Sequence, residues 1–169
     1  RTTFSEIDVS CEECHGPGSV HVDLARRWSL FWDRKIGYGI EGLNEKMLDT
    51  QLETCAKCHS RRYQVHEDFR GGDRLHDHYE PVVLEEGLYQ ADGQIFDEVY
   101  EYDSFRQSKM YANHVRCTDC HEPHTLKAKF TGNALCTQCH IQHDPAKYDT
   151  QAHHHHEPNT PAAQCVACH

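Results

Sequence analysis

Apolar residues are scarce in this chain, and they do not gather into a long run. Hydrophobic residues make up 37% of the 169 positions, and the mean hydropathy is −0.82. A membrane-spanning helix needs about 18 or more consecutive apolar residues, so the sequence predicts no membrane span. A core made of protein side chains alone would also be small for a chain of this length.

Positive charge is in short supply as well. Lysine and arginine together number 17 against 27 acidic residues, which gives a formal net charge of −10. Nucleic acid and anionic membrane surfaces attract basic proteins, so this balance argues against both as partners. It is compatible with attraction to a cationic redox partner protein.

Cysteine is abundant, and its spacing is the strongest signal in the sequence. Every cysteine belongs to a C-x-x-C-H motif, the attachment pattern of c-type haem. Two thiols bond to the vinyl groups on one porphyrin edge, and the histidine binds the iron. The five copies are Cys11/Cys14/His15, Cys55/Cys58/His59, Cys117/Cys120/His121, Cys136/Cys139/His140 and Cys165/Cys168/His169.

Two other readings of ten cysteines stay open. Paired C-x-x-C knuckles bind zinc, and an even cysteine count permits a disulfide framework. Neither reading requires a histidine directly after every second cysteine, whereas haem attachment does. The sequence therefore predicts five c-type haems and a single pentahaem cytochrome c domain over residues 1–169. Because haem binding would be part of folding, we expect the fold to depend on it.

The predicted fold is mainly α with extensive loop and one small β-hairpin, packed around haem with little protein-only core. An amphipathic pattern predicts a helix over 20–36, and a second helix is predicted over 43–56. Asp92-Gly93 predicts a type I′ turn in a hairpin over 87–103. Ser104 is predicted to cap a short helix that ends near Tyr111.

Histidine is plentiful enough to fill both axial positions of every iron. Five of the 16 histidines belong to the motifs, and the chain has only two methionines, Met47 and Met110. Bis-His ligation favours a low reduction potential and leaves no open iron position for a substrate. The predicted distal ligands are His21, His78, His124, His154 and His156, with His66, His76, His114 and His143 in reserve. An affinity tag or a surface patch for divalent metal would also explain the run of four histidines at 153–156.

His124 has a special position, because it follows the motif histidine His121 by three residues. So short a link cannot pass round a porphyrin edge to the opposite face. We therefore expect His124 to serve a neighbouring haem. The third and fourth motifs are the closest pair in the chain, so their haems are expected to lie near each other.

Several strings are similar to those of a known family. They are CEECHGPGSVH, TCAKCHSRR, GLYQADGQIFDEVYEYDSFRQSKMYANHVRCTDCHEPH, GNALCTQCH and HHHHEPNTPAAQCVACH. They resemble multihaem cytochromes of the cytochrome c-554 type, with doubled C-x-x-C-H motifs; many of these are exported haem modules followed by tetratricopeptide repeats. The resemblance implies axial ligands at His21, His78, His124 and in the histidine run. Relatives continue past the last motif, whereas this chain stops at His169.

The expected function is electron transfer through five closely packed bis-His haems, without enzymatic activity, in the periplasm or outside the cell. Since the chain ends inside a haem motif, we expect either a fragment of a longer protein or head-to-tail self-association, as in an extracellular cytochrome filament. The alternative is a haem-based oxidoreductase of small nitrogen or sulfur species, or its electron-input module, which needs a five-coordinate iron.

Overall fold

The computed structural model describes residues 8–27, 38–40, 43, 48–82, 85–140 and 147–169. Two compact units divide the chain, Arg1–Arg116 and Cys117–His169. We call them the N-terminal unit and the C-terminal unit. The N-terminal unit contains the first two C-x-x-C-H motifs, and the C-terminal unit contains the other three.

The described part of the N-terminal unit consists of short helices and one two-stranded sheet. Strands β1 (Arg62–Gln64) and β2 (Tyr79–Pro81) pair antiparallel, with Tyr63 opposite Glu80. The helices are α1 (Cys11–His15), α2 (Ser19–Arg26), α3 (Leu48–His59), α4 (Leu75–His78), α5 (Tyr100–Arg106) and α6 (Lys109–Ala112).

Helix α3 organises the small core of this unit. It has no glycine or proline inside, and Leu52 and Ala56 recur at a four-residue spacing, so they lie on one buried face. Helices α4 and α5 pack against α3, where Leu75 is 0% exposed and Tyr102 is 3% exposed. The buried Ser60 donates to the Ala56 carbonyl at 2.7 Å and marks the end of the helix.

The C-terminal unit is built from shorter pieces. Its helices are α7 (Cys117–Cys120), α8 (Ala134–His140) and α9 (Gln151–His154), its strands β3 (His121–Glu122) and β4 (Lys127–Ala128) pair antiparallel, and two 3-10 turns cover Pro161–Ala163 and Cys165–Ala167. Among its described residues, Ala163 is the one buried apolar side chain. Side-chain packing alone therefore supplies this unit with almost no core.

Both predicted N-terminal helices differ from the observed ones at their ends. The helix predicted over 20–36 ends at Arg26, where Arg27 adopts an extended backbone and its N–H bonds to the Leu24 carbonyl; residues 28–36 lie outside the described residues. In place of the helix predicted over 43–56, the structure has α3 over Leu48–His59. This helix includes the whole second motif, Cys55–His59, and therefore ends three residues later than predicted.

The predicted hairpin turn exists, but its type and its strands were wrong. Gly93 has φ of 88°, whereas Asp92 does not have the positive φ that type I′ requires. Gly93 N–H bonds to the Gln90 carbonyl at 2.9 Å, and Gln90 N–H bonds to the Gln94 carbonyl at 2.8 Å. This is a three-residue loop with glycine in the left-handed region. Pairing beyond it is limited to single bridges, such as Tyr89 with Ile95.

The predicted cap at Ser104 was also wrong. Ser104 lies inside α5, which already begins at Tyr100 after the buried Val99. The observed cap is Ser108, whose side chain accepts a hydrogen bond from Tyr111 N–H at 3.1 Å and begins α6. The coarse fold class is confirmed, since short helices predominate and the strands form two small antiparallel pairs. None of the helices in the described ranges is both long and apolar enough to cross a membrane.

Candidate haem-binding sites

Four of the five motifs share a helical local backbone. The cysteine pairs of the first four motifs lie in helices α1, α3, α7 and α8. In a helical turn, side chains three residues apart point to the same side, so the two thiols of each of these pairs face one partner together. None of the ten cysteines forms a disulfide. The residues thus fit attachment to one flat group, with two thiols and an imidazole per motif.

The fifth motif differs from the other four at Cys168. Its 3-10 turn covers only Cys165–Ala167, so Cys168 lies outside the turn, with φ of −129° and ψ of −22°. Cys168 is exposed and Cys165 is half-buried, and the first, second and fourth motifs also have one exposed and one half-buried cysteine. The fifth motif therefore lacks the α-helical turn that contains both cysteines in the other four motifs.

Two hydrogen bonds nevertheless keep the end of the fifth motif close to its start. Cys168 N–H bonds to the Cys165 carbonyl at 3.3 Å, and His169 N–H bonds to the same oxygen at 3.0 Å. The second of these bonds spans four residues, as in an α-helix. Attachment of haem to Cys168 stays a prediction from the motif.

The first two motifs lie beside each other in the N-terminal unit. Lys57, inside the second motif, forms an ion pair with Glu13, inside the first. Burial raises the pKa of the Cys14 thiol, and the neighbouring Cys58 raises it further. Gly71 packs so tightly on this region that a Cβ there would lie 1.7 Å from the Cys14 carbonyl oxygen.

A cleft of about 380 Å³ opens next to the first motif histidine, His15. Gly16, Gly39 and Gly71 contribute to its wall. Gly39 has φ of 82°, and a Cβ at this position would come within 2.8 Å of Val20. The absence of a side chain at Gly39 and Gly71 therefore lets the walls of the cleft pack closely on α2 and on the first motif.

In the C-terminal unit, the third and fourth motifs lie close together. The pKa of the Cys120 thiol is raised by burial, by Asp119 and by Cys139 of the fourth motif. Gln138, also in the fourth motif, donates from its side chain to the Asp119 carbonyl at 3.4 Å. Proximity of these two motifs agrees with their short separation in sequence.

The fourth and fifth motifs are joined through Asn133. Its side-chain amide donates to Asp149 Oδ1 at 2.8 Å and to the Ala163 carbonyl at 2.9 Å. Its side-chain oxygen accepts from Cys165 N–H at 2.8 Å. Burial, and then the adjacent Cys136 thiol, raise the pKa of Cys165. Asn133 was not singled out from the sequence, because nothing in its local pattern indicates contacts thirty residues away.

Three predicted distal ligands share one feature: their Nδ1 atom faces an oxygen acceptor. The partners are the Tyr38 carbonyl for His21 at 3.0 Å, the Glu67 carbonyl for His78 at 2.9 Å, and Glu122 Oε1 for His124 at 3.2 Å. Such a contact places the proton on Nδ1 and makes Nε2 the nitrogen with the lone pair. Metal-binding histidines in proteins usually have this second partner.

His78 has the most enclosed setting of the three. Its side chain is 19% exposed, and the buried Phe69 packs edge-on against its ring at 5.5 Å between centroids. Its Nδ1 partner is the Glu67 carbonyl in the loop that follows β1, and its Nε2 atom lies 3.6 Å from Asp73 Oδ2.

His124 lies in the loop between β3 and β4. The Glu122 carboxylate accepts from Thr125 N–H at 2.9 Å and also faces His124. Slight burial raises the pKa of Glu122, but the hydrogen bonds from Thr125 and His124 outweigh it, so the pKa lies below its usual value. One motif histidine has a similar partner, since His59 Nδ1 lies 3.0 Å from Glu101 Oε2.

The two predicted ligands from the histidine run do not share this arrangement. His154 Nδ1 accepts a hydrogen bond from His156 N–H at 3.1 Å, so the proton of a neutral ring lies on Nε2. The His154 and His156 rings are parallel, with centroids 6.4 Å apart. A different member of the run, His153, lies near the fifth motif histidine, with 6.2 Å between its ring centroid and that of His169.

The reserve ligands have less support from the structure. Unlike the three histidines above, His66, His76 and His114 have no ring hydrogen bond among the described residues, and His143 lies outside those residues. Of the two methionines, Met110 is 48% exposed and Met47 also lies outside the described residues. Within the described ranges, no three His, Cys, Asp or Glu side chains are gathered as a metal-binding group.

Comparison with known proteins gave no match: no protein-family model, no curated protein and no solved structure is similar enough to this chain. The resemblance to cytochromes of the c-554 type therefore stays a prediction from the motifs.

Proposed function

We propose that this chain is an exported pentahaem c-type cytochrome that transfers electrons. When bound, each haem supplies an iron that gains or loses one electron. The observation that carries the proposal is the shared Nδ1 contact of His21, His78 and His124 in a chain with five C-x-x-C-H motifs. It supports a second imidazole for at least three of the irons, in addition to the motif histidine.

The residues of the chain have separate tasks in this proposal. Cysteine thiols would hold the edge of each haem, and the motif histidine would bind its iron. The distal histidines would supply the second imidazole, and their oxygen partners would fix the ring orientation and raise the basicity of the ligating nitrogen. Two axial imidazoles leave no open position for a substrate, which favours electron transfer over catalysis.

The contacts between motifs support short steps between haems. The Lys57–Glu13 ion pair holds the first motif to the second, and Asn133 holds the fourth motif to the fifth. Gln138 connects the fourth to the third. The proposed path therefore has two haems in the N-terminal unit and three in the C-terminal unit. A cationic redox protein is the proposed partner, given the net charge of −10.

The test uses the mature protein in its native host. Intact mass should show five haem additions, and electron paramagnetic resonance of the oxidised protein should show low-spin iron throughout. The ferrous protein should not bind carbon monoxide. A high-spin signal together with carbon monoxide binding would favour the oxidoreductase alternative, and a mass without haem would refute both. Head-to-tail assembly into a filament stays a prediction, which electron microscopy of native material tests.

His124 offers a sharper test of the ligand assignment. We expect His124→Ala to turn one iron high-spin while all five haems stay attached, since His124 is proposed to bind a haem other than its own neighbour in sequence. His66→Ala is the matched control, because His66 is an exposed histidine in a loop, and it should leave every iron low-spin. Five low-spin irons in the His124 variant would remove His124 from the ligand set.

A further inference from the structure

The fifth motif histidine has an aligned partner ring in the C-terminal unit. His153 and His169 have nearly parallel rings, with 5° between their planes and 6.2 Å between their centroids. Neither ring makes a hydrogen bond within the described residues. This separation is compatible with offset stacking, for which ring centroids lie about 4.5–7 Å apart, and also with two rings that face one metal between them.

The separation agrees with two imidazoles that share one metal. An imidazole nitrogen binds a metal at about 2.0–2.1 Å, so ligands on opposite sides have their nitrogens about 4 Å apart and their ring centres about 6 Å apart. The chain between the two residues also permits it. About fifteen residues can span up to about 50 Å, which is ample for passing round the edge of a haem.

The other parallel pair, His154 and His156, has a similar centroid distance but cannot bind one iron. Two peptide units span at most about 7 Å, too little to round a macrocycle. The His154 Nδ1 atom is also occupied by His156 N–H. Parallel rings in this pair follow from the local turn, in which His155 has φ of 60°.

Two contacts hold His153 in place. Its N–H donates to the Thr150 carbonyl at 2.9 Å in the first turn of α9. Tyr148 packs edge-on against the His153 ring at 5.9 Å and against the fourth motif histidine, His140, at 5.7 Å between centroids. The ring plane of His153 is thus fixed by an aromatic neighbour, which also contacts the adjacent motif.

We propose that His153 is the sixth ligand of the iron bound by His169, and that Tyr148 positions its ring. This assignment rests on the proposed function, in which the fifth motif carries haem. It differs from the sequence prediction of His154 and His156, and it gives the C-terminal haem a ligand from within its own unit.

The experiment compares His153→Ala with His154→Ala and His156→Ala in the haem-loaded protein. We expect five haems by mass in all three. One of the five irons should turn high-spin in His153→Ala alone, and added imidazole should restore its low-spin signal. His153→Met is a second variant, expected to give one His/Met iron with its charge-transfer band and a raised reduction potential.

Each outcome decides between assignments. If His153→Ala keeps five low-spin irons, or if His154→Ala or His156→Ala loses one instead, the assignment is wrong while the cytochrome function stands. If His153→Ala does not accumulate, His153→Met is decisive: one His/Met iron supports the assignment, and five bis-His irons overturn it. Wild-type protein without haem would refute the proposed function itself. Tyr148→Ala should keep five low-spin irons and change the spectrum of one, which separates positioning from ligation.

Discussion

The two units of the chain are stabilised in different ways. Eight of the nine buried apolar side chains of the described residues lie in the N-terminal unit, and the C-terminal unit has Ala163 alone. The ion pairs of lysine and arginine with carboxylates in the described residues, Lys57–Glu13 and Arg61–Asp97, also lie in the N-terminal unit. Yet the C-terminal unit holds three of the five motifs in less than a third of the chain.

This difference indicates what a haem contributes to each unit. In the N-terminal unit, haems would join a core that already contains Leu52, Leu75 and Tyr102. In the C-terminal unit, hydrogen bonds from Asn133 and short turns set the chain path, and an apolar interior would have to come from the proposed haems. Buried apolar side chains are therefore unevenly distributed between the two units in the described part of the chain.

Loss of haem should have the largest effect on stability, and the C-terminal unit should lose far more of its structure than the N-terminal unit. Fixing the backbone of one residue costs about 1–2 kcal/mol, and burying one large side chain returns only about 1.5–3 kcal/mol. Without haem, we expect residues 117–169 to exchange amide protons as an unfolded chain does. Slow exchange should persist around α3 and α5. Hydrogen exchange of the chain produced without haem attachment measures both regions at once, and the haem-loaded protein is the control. Equal protection of the two units would mean that they do not differ in their dependence on haem.

The next largest effect should come from Leu75, which is 0% exposed. Leu75→Ala removes methyl groups from the interface of α4 with α3, and such changes cost about 2–5 kcal/mol of unfolding free energy. The control is Val166→Ala, since Val166 is 82% exposed in the C-terminal unit and surface changes stay within about 0.5 kcal/mol. Denaturant unfolding of the two haem-loaded variants gives both values. Similar losses would mean that the N-terminal unit also depends on haem alone.

A smaller and more local effect is expected from Asn133. Asn133→Ala removes the acceptor of Cys165 N–H and the side-chain amide that donates to the Ala163 carbonyl and to Asp149. At about 0.5–1.5 kcal/mol for each of the three hydrogen bonds, exchange of the Cys165 amide should accelerate at least roughly tenfold. Asn113→Ala is the matched control, because Asn113 donates only to the Lys109 carbonyl in its own helix end. Unchanged exchange at Cys165 would show that the haems, and not Asn133, connect the two motifs.

The sequence predicts a chemistry for the motifs, but it could not predict the connections between them. Histidines such as His21 and His78 could be singled out as ligand candidates, because a bis-His iron needs a second imidazole. The Glu67 carbonyl and Asn133 were not, since their roles depend on which segments meet after folding. Helix ends were misplaced for a related reason, since the second helix continues through its motif to His59. The turn predicted within 87–103 is a three-residue loop and not a type I′ turn. The same holds for Cys168, because an identical motif spacing does not reveal that the fifth copy forms a shorter turn than the others. Local sequence patterns do not determine these features, because they depend on contacts formed between distant segments.

The smallest effect concerns charge on the N-terminal unit. Arg61 donates to Asp97 Oδ2 at 3.1 Å. The Glu98 N–H, and then Arg61, hold the pKa of Asp97 below the ordinary value of 3.8. Because the unfolded chain binds this proton more readily, the stabilisation is present above pH 3.8 and is lost as the pH falls through the lower folded pKa. Asp97→Asn should therefore be slightly less stable than the wild type well above pH 3.8 and equally stable well below the folded pKa. Denaturant midpoints at the two pH values measure the difference, and added salt should reduce it because the pair is exposed.

The control is Asp92→Asn, which removes the same charge from a nearby position without an arginine partner. A pH-dependent difference of equal size in that variant would assign the effect to net charge and not to the Arg61–Asp97 pair.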